Sequence, residues 1–150
     1  VDAALWALDW PIVRTEGRLF RKGQLLRGFD KGCEDYVAAR LDAASGGAVN
    51  LACSWNLHAG RDAIIEMAFY GTKGGAAMRN VNGSFFDFEA ERFTGTKREI
   101  LAQPPDDWSG RAVVDWARKL ADGAGYDAEV ERLIEVAAVL DSIYESRADV

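Results

Sequence analysis

The sequence predicts an α+β fold: an antiparallel-rich, open-faced mixed β-sheet with helices packed on one face. Three observations carry this. Several segments between residues 12 and 101 alternate apolar and polar side chains at the period of strands. Glycine-rich turns space these segments closely enough for consecutive hairpins. From residue 109 the period changes to that of amphipathic helices. The length of 150 residues is that of one ordinary domain, read as a single unit over 1–150.

The elements run in order along the chain. Val1, Leu5 and Leu8 share one face of a first helix, which Pro11 ends. No Ser, Thr or Asp precedes Val1 as a cap, so the chain opens inside a helix. This predicts that residues have been removed upstream, with signal-peptide cleavage as the alternative. In PIVRTEGRLF, Val13, Thr15, Gly17 and Leu19 fall on one side of a strand. Residues 22–34 read as a loop. Val37, Ala39 and Leu41 point inward on the next strand, ASGG at 44–47 turns the chain, and Val49, Leu51, Cys53 and Trp55 return along it. Ile65, Met67 and Phe69 mark a further strand, with others expected near 76–79, 85–89, 91–94 and 97–101. Ser109 is a candidate cap for a helix whose Val113, Trp116, Ala117 and Leu120 share a face, with Gly123 as its stop. Asp127 caps a longer helix in which Val130, Leu133, Ile134, Ala137, Leu140 and Tyr144 form one stripe.

The opposite strand faces carry Arg40, Asn50, Ala52, Ser54, Glu66 and Tyr70. No third layer remains in the chain to cover them, so this face is either solvated or covered by another domain or subunit.

Composition excludes several functions. Apolar residues are 49% and charged residues 28%, which sets the chain among globular proteins and apart from disordered ones. The net charge is −6 and Lys and Arg form no stripe, so neither nucleic acid nor an anionic membrane is an expected partner. No apolar run reaches the ~18 residues of a membrane helix. Cys33, Cys53 and a single His in no ligand spacing make no expected metal site. Two isolated thiols point to a reducing, cytoplasmic setting, although a disulfide between them stays open.

YGTKGGA at 70–76 has the residue types of a phosphate cradle. A P-loop needs GxxxxGK and Ser or Thr before a helix. Here Lys73 precedes Gly74 and no helix pattern comes after it, so the segment reads as a hairpin turn whose glycines supply positive φ. The same stretch, YGTKGGAAM, resembles the GTKGG turn in the C-terminal domain of the Gfo/Idh/MocA oxidoreductases. VDAALWAL resembles the helix directly after that family's catalytic His. FDKGCEDYVAARLDAASGGAVNLACSW resembles its central hairpin, AVVDWARKLADG its penultimate helix, and LDSIYESRADV its closing segment.

The resemblance covers essentially the whole chain and implies a substrate-binding and oligomerisation domain, without its N-terminal Rossmann partner. The implied parent uses NAD or NADP to transfer hydride at a sugar or cyclitol hydroxyl. The family's Lys from an EKP segment and His from a DxxxH segment are absent here, so no catalytic residue carries over and the chain alone is expected to be inactive, with no cofactor of its own. By resemblance, the loop after the SW strand lies near substrate, which makes Asn56, His58 and Arg61 candidates. Asp2 would stand one helical turn beyond the missing His. The competing readings are a solvated loop and a residue of the helix start. Expected partners are the Rossmann domain, a sugar-like molecule and further copies of the chain through the open face. The alternative is a free-standing sheet domain that binds a ligand or protein without catalysis. A hydrolase is unsupported, since there is no GxSxG.

Overall fold

The computed structural model describes residues 1–8, 11–27 and 32–146. It contains two antiparallel four-stranded sheets and three α-helices, which gives the α+β class. The chain divides into two compact units, Val1–Leu57 with Tyr126–Val150, and His58–Gly125. One mixed sheet was the expectation; every described strand pair is antiparallel, and the strands form two separate hydrogen-bonded ladders.

The first unit holds α1 (Asp2–Leu8), β1 (Ile12–Arg21), β2 (Gln24–Leu25), β3 (Tyr36–Ala43), β4 (Ala48–Ser54) and, late in the chain, a 3-10 turn (Ala128–Glu131) and α3 (Arg132–Glu145). Its sheet order is β2-β1-β3-β4. β2 lies inside the segment expected to be loop. It pairs with β1 through a two-residue turn at Lys22 and Gly23, with φ of 50° and 77°. Two left-handed residues in succession match the twist of a tight hairpin.

Leu19, Ala39 and Leu41 line the inner face of this sheet and form a core with Leu5, Leu26, Val139 and Ile143. Gly17 lies beneath α3. A Cβ there would stand 2.6 Å from the Ile143 carbonyl oxygen and 2.9 Å from Ser146 Oγ. The missing side chain lets the Gly17 N–H donate to Ser146 Oγ at 2.7 Å, while Ser146 donates to the Ile143 carbonyl at 2.9 Å.

Two sequence expectations are corrected here. Val13 is exposed, because a register shift between Ile12 and Arg14 puts Ile12 on the inner face instead. In α3 the buried residues are Val139 and Ile143, and not the stripe read from the sequence; Leu133 and Ile134 of that stripe are 58% and 65% exposed. The helix is apolar on two sides, so periodicity alone selects neither.

The second unit holds β5 (Glu66–Gly71), β6 (Gly74–Asn80), β7 (Phe88–Thr94), β8 (Lys97–Ala102) and α2 (Arg111–Ala121), with sheet order β5-β6-β7-β8. Residues 85–94, expected as two strands, give one. The turn between β5 and β6 does not use positive φ: Gly71, Gly74 and Gly75 all lie outside the left-handed region. Close approach explains the last two, since a Cβ on Gly74 would meet the Phe93 carbonyl oxygen at 2.8 Å and one on Gly75 the Phe69 oxygen at 2.7 Å. Ser109 does not cap α2. Gly110 holds the N-cap position at φ 78°, with no side-chain cap.

Candidate functional site

The outer face of the first sheet is built from rows set by strand register. Arg18, Ala38 and Ala52 form one row, Glu16, Arg40 and Asn50 the next, and Phe20, Tyr36 and Ser54 the row at one end. Arg40, Asn50 and Ala52 are exposed, as the alternation implies.

At the Phe20 end three chain segments converge. The left-handed turn places the Lys22 N–H to donate to Asp35 Oδ2 at 2.8 Å. Ser54 Oγ donates to the Asp35 carbonyl at 2.6 Å and accepts from the Asn56 N–H at 3.1 Å. The rings of Phe20 and Tyr36 meet edge to face, with centroids 5.8 Å apart and planes inclined at 62°. Phe20, Lys22, Gly23, Asp35, Tyr36, Ser54, Asn56 and Leu57 line an open cleft of about 440 Å³, within the range of small-molecule sites. Asn56 is therefore the one candidate from the sequence that lines this cleft. Asp2 is exposed in the first turn of α1 and is not among its lining residues.

His58 and Arg61 belong to the second unit and are both exposed. The backbone just beyond Arg61 is held firmly. Asn80, 9% exposed, accepts from the Ile65 N–H at 2.9 Å and donates to the carbonyls of Ala63 and Ser84 at 3.0 and 2.8 Å. Gly83, at φ 79°, lies under the same segment, and a Cβ there would come within 3.1 Å of Arg61 Cβ. One buried amide thus ties the segment after His58 and Arg61 to the β6–β7 turn. The same unit buries Glu91 at 2% exposure between Arg79, 3.0 Å away, and Arg98.

Sequence reasoning missed Lys22, Asp35, Tyr36 and Asn80. The Lys-Gly pair at 22–23 was a usable hairpin signal, whereas Asn80 carries no local signature. Trp108 packs edge to face on Phe88 and donates from Nε1 to the Phe86 carbonyl at 2.8 Å. Among the described residues, no group of three or more His, Cys, Asp or Glu gathers to hold a metal ion, and no helix is long and apolar enough to cross a membrane.

The fold has a precedent. The crystal structure of aldose-aldose oxidoreductase from Caulobacter crescentus, complexed with glycerol, matches 96% of this chain with a TM-score of 0.63. Sequence identity is 15%, and the match covers 42% of that enzyme. The likeness is one of fold. The chain thus has the fold of a part, less than half, of an oxidoreductase. No protein-family model and no curated protein matches it in sequence.

Proposed function

We propose that the chain is the substrate-binding and oligomerisation domain of an NAD(P)-dependent oxidoreductase acting on a sugar or cyclitol hydroxyl. The observation that carries this is the fold, shared over 96% of the chain with part of an enzyme named for aldose chemistry. The ordered motifs of the sequence support the same reading independently. In it the cofactor and the catalytic base come from a Rossmann domain outside these 150 residues. The candidates for contact with substrate, each taken from the sequence resemblance, are Asn56 and Asp2 in the first unit and His58 and Arg61 in the second. The uncovered outer face, with small Ala38 and Ala52 at neighbouring register positions, suits packing against a second copy at the ~10 Å of face-to-face sheets.

The test compares two forms of the protein. A form extended through the preceding coding region is expected to bind NADH or NADPH and to reduce the nucleotide with a sugar substrate. The 150-residue chain is expected to do neither. Saturable micromolar NADH binding by the short chain, monitored through its five tryptophans, would overturn the assignment. So would an extended form that binds no nucleotide.

A further inference from the structure

The cleft at the Phe20–Tyr36–Ser54 end of the first sheet has a chemistry of its own. Its frame is already hydrogen-bonded, because Asp35 and Ser54 tie the β1–β2 turn, the start of β3 and the end of β4 together. Other groups on its lining are left over. The Lys22 ammonium, the second Asp35 oxygen, the Tyr36 hydroxyl and the Asn56 carboxamide enter no hydrogen bond or ion pair among the described residues. The rings of Phe20 and Tyr36 and the exposed Leu57 supply apolar wall.

These groups select among ligands. A net anion would face the free Asp35 oxygen, and a net cation would face Lys22. The rings of Phe20 and Tyr36, inclined at 62° to one another, do not sandwich a flat ring between them. A hydroxyl both donates and accepts, so one hydroxyl can bridge an ammonium and a carboxylate. A saturated ring with hydroxyls on its edge and C–H bonds on one face satisfies the polar groups and the aromatic wall together.

We infer that this cleft, wholly within the first unit, is a binding site for an uncharged polyhydroxylated ring, held by Lys22, Asp35 and Asn56 against Tyr36. The inference deepens the reading proposed above and rests on it for the biological source of the ligand. Nitrogen-15-labelled chain titrated with D-glucose tests it directly. Saturable shifts are expected at the Asn56 side-chain amide and the Tyr36 backbone amide, with a dissociation constant on the order of millimolar. Asn56→Ala and Lys22→Ala should each weaken binding about five-fold, the effect of one lost hydrogen bond. Neither side chain supports the fold, so both variants should keep the wild-type spectrum elsewhere. Three results would overturn the site: no saturable shift, shifts confined to residues outside the cleft, or an affinity that neither variant changes. Saturable binding of adenosine in place of glucose would overturn the ligand class. An extended protein that oxidises a sugar while the cleft binds none would remove this inference and leave the proposed function standing. Glucose held in the cleft of a protein whose extended form binds no nucleotide would do the reverse.

Discussion

Replacing Asn80 tests whether one amide positions the segment just after His58 and Arg61. The Asn80 side chain makes three hydrogen bonds of 2.8–3.0 Å from a site that is 9% exposed. At about 1 kcal/mol net for each bond, Asn80→Ala should cost roughly 2–4 kcal/mol. The cost should appear locally, because the backbone of residue 80 keeps its pairing with Phe88 and its N–H bond to the Ile65 carbonyl. Hydrogen exchange at the Ile65 amide is the assay, and its protection should fall between about 30-fold and 1,000-fold. Asn80→Asp is the sharper variant. It keeps the acceptor for Ile65 but turns an oxygen toward the Ala63 and Ser84 carbonyls. The folded state then favours the protonated acid, which raises the folded pKa of the new carboxyl above its unfolded value. Stability from the protonated form is present below the unfolded pKa and is lost as pH rises through the folded one. Asn80→Asp should therefore be less damaging near pH 4 than near pH 8. Ile65 protection within ten-fold of the wild type in both variants would refute the positioning role.

Three further outcomes are expected. Gly17→Ala should destabilise the first unit by about 1–3 kcal/mol, since the new Cβ meets the Ile143 carbonyl and Ser146 and α3 must shift; urea unfolding with an unchanged midpoint would contradict the packing. The chain should form a two-fold dimer through its uncovered sheet face, and Ala52→Arg, placed in the row that holds Arg18, should dissociate it; a monomer by light scattering at high concentration, before any mutation, would contradict this. In the extended enzyme, His58→Ala should raise KM about ten-fold with kcat little changed, as for the loss of one hydrogen bond in binding. A fall in kcat by orders of magnitude would instead make His58 the base, and unchanged kinetics would make loop 55–62 a solvated connection.

The parts of this fold that the sequence disclosed are those with a local cause. Val37, Ala39 and Leu41 alternate because one side of β3 faces the core and the other does not. Asp127 was legible as a cap, but it caps the 3-10 turn that leads into α3 and not α3 itself: its carboxylate accepts from the Glu129 N–H at 3.0 Å, and α3 has no side-chain cap. The hidden parts depend on distant partners. Gly17 is needed only because α3, some 130 residues later, crosses it. Cys53 shares a row with Leu19 and Val37 yet is exposed, because β4 is the edge strand of its sheet, and Trp55 lies just beyond the end of β4. The cleft itself joins residues 20–23, 35–36 and 54–57, which only strand pairing brings together.

The second unit is specified by polar residues at least as much as by apolar ones. The apolar core cluster lies in the first unit, and Ala77 is the buried hydrophobic residue between His58 and Gly125. Large residues of α2 stay in solvent, with Val113 and Trp116 66% and 62% exposed. The buried side chains of its sheet include Asn80 and Glu91. A carboxylate at 2% exposure is tolerable only with its charge matched, and the two arginines that match it stand 45% and 56% exposed, their heads still partly hydrated. The arrangement fixes β6, β7 and β8 in register through Arg79, Glu91 and Arg98, because a one-residue slip would turn Glu91 to the other face and leave the arginines unpaired. Such a sheet depends more on polar pairing than on burial. Val113 and Trp116 on α2, and Leu133 and Ile134 on α3, are exposed apolar side chains of the kind that interaction surfaces carry. If the proposed function holds, these side chains are where the rest of the protein or a second copy would pack.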